Sequence, residues 1–224
     1  MALRDAGWRI VNLACSLGRP EQRVCREAEL REACELAGYE LRIPPRPISI
    51  SGEVDGDVAR AALKELVARE IAALEPAIVL SPALGDRHPG HRLVAEAVRD
   101  AILERPQPPR WWMWELWGSL PRPTVGTLFD QTRLDEVLAV LAAHRGELAR
   151  NDYRRFVRAR AEMNVSLAAE LLFGFGAAAS PEAPYAELLT EVVRVGSRWL
   201  LGRPRWLDAA APLPEPGRAE AVLD

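Results

Sequence analysis

The apolar run Ala77-Ile78-Val79-Leu80 ends in a polar loop, which hands over at His88-Pro89-Gly90-His91 to a helical apolar pattern from Leu93-Val94 to Ala101-Ile102. Strand, polar loop and helix N-terminus in that order form the repeating step of an open α/β sheet, whose ligands bind outside the carboxyl ends of the strands. The loop also holds two of the three histidines in the chain. Fold and chemistry therefore point to the same place.

The alternation extends along the sequence. Residues 8–14 read as a strand, 20–36 as a helix ended by Gly38, and 39–43 as a short strand followed by a loop through 49–56. Residues 57–74 are an amphipathic helix with Val58, Ala61, Ala62, Leu66 and Ile71 on one side, and Trp111–Trp117 is an aromatic strand. Asp130 is placed to cap a helix running through His144, and a further helix spans 153–172 before Gly174 and Gly176. The expected architecture is one α/β domain over residues 1–203, a Rossmann-like, mostly parallel sheet flanked by helices. The segment 204–224, rich in Pro, Ala and Glu, is expected to fray as a tail.

Residues 2–6 read as the last turns of a helix closed by Gly7 in a left-handed cap position. So short a helix does not stabilise itself, and in a parallel α/β domain it would follow a strand. The sequence thus predicts that a first strand is missing.

With 49% hydrophobic and 27% charged residues the chain has the composition of a globular domain, and its net charge of −3 supplies no basic field for nucleic acid or an anionic membrane. No secretory leader or membrane span stands out, so a cytoplasmic location is expected. Cys15, Cys25 and Cys34 form no C-x-x-C pair and are expected to be reduced thiols.

Proline favours the first position of a helix, which puts His88 near the N-cap and His91 about one turn inside. The positive end of the helix disfavours imidazolium, and neutral imidazole is a ligand of zinc. Asp86, two residues before His88, is a possible metal ligand, a carboxylate that orients a ring, or a solvated turn aspartate. His144 lies beside Val140 and Leu141 and is either packed on its helix or a substrate contact. The indoles of residues 111–117 either pack in the core or stack on sugar rings, which would suit a carbohydrate-binding homologue without chemistry.

His88-Pro89-Gly90-His91 matches the H-x-G-H of nucleotidylyltransferases, although those enzymes carry it after their first strand. A wider resemblance is to the LmbE/PIG-L family of zinc-dependent N-acetyl-sugar deacetylases. Residues 80–91 resemble that family's later H-P-D-H signature, Ala14-Cys15-Ser16-Leu17-Gly18 its second strand and turn, and Arg26-Glu27-Ala28-Glu29-Leu30 with Ala33 and Gly38 its R-x-x-E-L helix. Trp114-Glu115-Leu116-Trp117 with residues 121–125 looks like its aromatic strand and proline turn, and 138–148, with His144, its late histidine-bearing helix. The resemblance covers residues 8–160.

It implies a Rossmann-like fold, a Zn²⁺ cofactor, and hydrolysis of an acetamide on a small amino-sugar conjugate. His91 would be a zinc ligand, His88 the oxyanion partner or acid, and Arg26 a substrate contact. Two departures stand out. Gly90 takes the place of an aspartate, and the A-H-P-D-D segment that supplies two zinc ligands and the base is missing. Either the sequence starts at an internal methionine, or it is a shortened homologue whose function is binding or none. The remaining zinc ligands are expected on the absent segment, and weak or no hydrolysis is expected of residues 1–224.

Overall fold

The structure, a computed structural model, describes residues 1–50 and 55–213. The chain forms two compact units, one from residues 1–49, 127–187 and 207–212, the other built around 50–126 and 188–206.

The first unit opens with α1 (Ala2–Asp5) and β1 (Val11–Leu13), separated by Gly7 at φ +89°. A single 3-10 turn at Pro20–Gln22 leads into α2 (Arg23–Ala37), which ends where Gly38 adopts φ +69° and donates back to the carbonyl of Glu35. Only glycine enters that left-handed cap without a Cβ penalty, and the turn sets β2 (Glu40–Arg42) parallel to β1 with Val11 opposite Glu40. The unit is completed by α5 (Gln131–Ala142), α6 (Arg145–Leu148) and α7 (Tyr153–Phe173). Asp130 caps α5 through the Arg133 N–H, as the sequence predicts, but the helix stops before His144, which instead heads α6. Leu134, Ala161 and Tyr185 form a small core with Phe129, Leu138 and Val157 around it.

The second unit carries α3 (Gly56–Leu74), β3 (Ile78–Pro82), α4 (Pro89–Leu103) and β4 (Arg110–Trp114). Asp55 caps α3 by accepting from the N–H groups of Asp57 and Val58. β3 and β4 pair in parallel, Ile78 opposite Arg110 and Pro82 opposite Trp114. The sheet continues through β6 (Tyr185–Val195), β5 (Val125–Phe129) and β8 (Arg205–Trp206), with β7 (Arg198–Leu201) beside β6. β5 and β6 each have residues in both units. The α/β class is that predicted, but the pairing is mixed, because β6 runs antiparallel to β4 and β7.

The segment after Pro204 does not begin as a frayed tail: Arg205 and Trp206 pair with Val125 and Gly126. The remainder of the expected tail, residues 214–224, and residues 51–54 of the expected loop lie outside the described residues. The core of this unit joins Val67 and Ile71 of α3, Val98, Ala101 and Ile102 of α4, and Trp111, Met113, Val192 and Leu201 of the sheet.

A carboxylate sits inside this sheet. Glu191 is 1% exposed. It accepts from the Trp112 indole at 2.8 Å, from Arg110 at 3.1 Å and from both terminal nitrogens of Arg205 at 2.7 and 3.0 Å. Its own backbone N–H goes to the Thr124 hydroxyl at 2.7 Å. Burial alone would raise the Glu191 pKa, but the Arg205, Trp112 and Arg110 donors outweigh it and hold the carboxyl below the usual range. The Gly202 N–H donates to the Glu191 carbonyl at 2.8 Å, so the backbones run in close contact there.

Candidate active site

The carboxyl ends of β3 and β4 lie side by side, and the loop that leaves β3 is fixed to β4 by its backbone. The Ala83 N–H donates to the Trp114 carbonyl at 2.7 Å, and the Asp86 N–H turns back to Ala83 at 3.1 Å. Arg92 clamps the far side of the loop, donating to the carbonyls of Asp86 and Arg87. His88 then takes extended geometry as the N-cap of α4 with Pro89 at the first helical position, as its sequence predicts.

Asp86 is the buried centre of the loop, with 0% exposure. One oxygen accepts the His88 N–H at 2.8 Å; the other faces Nδ1 of His91 at 3.1 Å and accepts the Leu116 N–H at 3.2 Å. Burial by itself would raise its pKa, but these three donors prevail and hold it below the ordinary aspartate range. An ionised carboxylate only accepts, so Nδ1 of His91 carries the proton of this contact, and in the neutral ring Nε2 has the lone pair. Of the three parts the sequence left open to Asp86, burial removes the solvated turn, and this geometry is that of the carboxylate orienting a ring.

The His91 N–H reaches Nδ1 of His88 at a long 3.4 Å, and the two rings lie 4.7 Å apart between centroids. Trp114 meets His91 edge-on at 5.3 Å. Gly90 is buried at the floor, where a Cβ would stand 3.1 Å from the His88 ring and 3.3 Å from Ile50.

The aromatic strand divides by depth. Trp111 and Trp112 are wholly buried, Trp111 donating to the Ser81 hydroxyl at 2.8 Å, while Trp114 is half-buried beside His91. Four indoles in a stacking platform are therefore not what forms; two of them pack the core. Trp114 is among the indoles the sequence offers as sugar contacts, whereas the Leu116 N–H is a contribution that sequence reasoning missed, since a backbone donor leaves no motif.

Arg26 and His144 belong to the first unit. The Arg26 guanidinium pairs with Glu147 at 2.6 Å, bonds Gln22 at 3.2 Å, and packs against Gly18. His144 is half-buried at the head of α6, its carbonyl accepting from Glu147 and Leu148. In the same unit Glu29, 3% exposed, accepts the Gly146 N–H at 2.9 Å.

A catalytic zinc usually takes three protein ligands. Among the described residues no group of three or more His, Cys, Asp or Glu side chains is placed to hold a metal ion. Asp86 is engaged with its three donors, so His91 offers a single ring nitrogen. The described residues do not fit the expected zinc. Nor, among them, is any helix long and apolar enough to cross a membrane.

No protein-family model and no curated protein sequence matches the chain. Solved structures do. The 4-carboxy-2-hydroxymuconate hydratase GalB of Pseudomonas putida KT2440 superposes with a TM-score of 0.61 at 19% identity, over 87% of this chain and 88% of that one. The conserved protein TT1542 of Thermus thermophilus gives 0.60 at 20% identity over 84% of each chain. The A40926 pseudoaglycone deacetylase Dbv21 gives 0.60 at 17% identity, over 90% of this chain and 88% of that one. The chain therefore shares the α/β fold of these solved structures, a deacetylase and a hydratase among them.

Proposed function

We propose that the chain is a hydrolase of the de-N-acetylase type, directed at the acetamide of an N-acetylated amino-sugar conjugate, and that residues 1–224 alone hydrolyse it weakly or not at all. The observation that carries this reading is the Asp86–His91 bond beside His88 at the end of β3. His91 presents Nε2 at a fixed angle because Asp86 holds its other nitrogen. His88 accepts at Nδ1, so its neutral ring is protonated at Nε2, a donor suited to the carbonyl oxygen of an amide as negative charge develops on it. The weak-activity part follows from the single ring nitrogen offered where about three protein ligands are needed for zinc.

Trp114 beside His91 favours a second reading, binding of the conjugate without turnover. Metal analysis, calorimetric titration with an N-acetylglucosamine conjugate, and an amine-release assay on the purified chain separate the two. Trace turnover that His88→Ala and His91→Ala abolish supports the hydrolase, and binding without amine release supports the second reading. Zinc near one per chain with rapid turnover overturns the weak-activity part, and absence of both binding and turnover overturns the site.

A further inference from the structure

Helix α7 leaves an apolar face uncovered. Met163, Leu167 and Leu171 are 42%, 45% and 42% exposed, and Phe175 just beyond the helix is 93% exposed. The opposite face is spent on the core of the first unit through Ala161, Ala168, Ala169 and Leu172. Apolar side chains recurring along an open helix face mark an interaction surface.

The pattern on that face indicates what covers it. Phe156, Arg160, Met163, Leu167, Glu170 and Gly174 follow one another at alternating intervals of four and three, the seam of a helix pair. The seam is self-complementary about Val165. If a second α7 is laid antiparallel with the two-fold axis at that residue, Met163 meets the partner's Leu167 and Arg160 meets the partner's Glu170. Phe156 meets the partner's Gly174, which has no side chain. Each contact occurs twice, as a two-fold interface requires.

Charge selects the same orientation. Arg154, Arg155, Arg158 and Arg160 crowd the first half of the helix, whereas Glu170 lies in its last turn. A parallel pair would set arginine against arginine. The Arg160 guanidinium lies 5.5 Å above the Phe156 ring, which holds it along the seam. Glu170 accepts the Gly176 N–H with one oxygen and retains the other for a guanidinium.

We infer that α7 is a homodimerisation helix, pairing antiparallel with α7 of a second copy through the Met163–Leu167 layers and the flanking Arg160–Glu170 pairs. One helix face is small beside a standard interface of about 1,600 Å², so the dimer is reversible and concentration-dependent.

Sedimentation velocity of the full chain over a concentration series tests this. A monomer–dimer equilibrium is expected, and Leu167→Glu should raise its dissociation constant by more than about tenfold. Arg160→Glu and Glu170→Arg should each weaken it, and the double variant, which exchanges the two charges, should restore it. Circular dichroism melts confirm that each variant is folded, Arg160 and Glu170 both being half-buried. A chain that stays monomeric, one whose assembly ignores Leu167→Glu, a charge exchange without recovery, or a monomer that instead cofloats with lipid vesicles overturns the inference.

Discussion

Asp86 and His91 are joined by a hydrogen bond of 3.1 Å between a wholly buried carboxylate and a ring nitrogen five residues along the chain. The same carboxylate satisfies the His88 and Leu116 N–H groups. Asp86→Ala should therefore cost about 1–3 kcal/mol, the penalty for leaving buried donors unpaired. Urea denaturation checks the size, and nitrogen NMR of the His91 ring should show the single tautomer give way to a mixture. Stability equal to that of the unaltered chain would mean that the donors find other acceptors.

Glu191 makes the sheet acid-sensitive. Its carboxyl titrates below its unfolded value, so its contribution is complete above about pH 4.3, the ordinary glutamate value, and is lost as pH falls through the lower folded value. Glu191→Gln leaves Arg110 and Arg205 without their anion and should destabilise the chain by about 3 kcal/mol at pH 7. In acid the variant and the unaltered chain should converge, which pH-dependent unfolding curves measure directly.

Gly202 is constrained by the same carboxylate. A Cβ there runs into Oε2 of Glu191, and that oxygen cannot move aside while Arg205 holds it. Gly202→Ala should cost about 1–3 kcal/mol, and the cost should shrink in a Glu191→Ala background. Thermal denaturation of the four proteins of this double-mutant cycle gives the coupling, and additivity would show that the two residues act separately.

Zinc is expected to leave folding unchanged. A tight site would raise the melting temperature by several degrees at saturating metal, because a ligand bound only by the folded state stabilises it. A single ring nitrogen should give no measurable shift with zinc or with EDTA. Differential scanning calorimetry decides it.

Much of this was legible in the sequence where one residue type dictates a local geometry. Gly38 closes α2, Asp130 caps α5 and Pro89 opens α4, each for a reason contained in its own backbone or side chain. The β6–β7 hairpin was not legible. Residues 185–195 carry Glu187 and Glu191 amid leucines and valines, and a buried Glu191 makes sense only once Arg110 and Arg205 converge on it from other strands. The candidate site divides in the same way: two histidines and an aspartate within six residues are conspicuous, whereas the Trp114 edge and the Leu116 N–H arrive from the end of β4 and the bend that follows it.

Gly90 fits its surroundings closely. The His88 ring and Ile50 have closed over the space that a side chain would occupy. A Cβ would press by a few tenths of an ångström on a ring that accepts a backbone N–H and on an apolar side chain. Glycine at position 90 thus acts as a spacer matched to the gap between the His88 ring and Ile50.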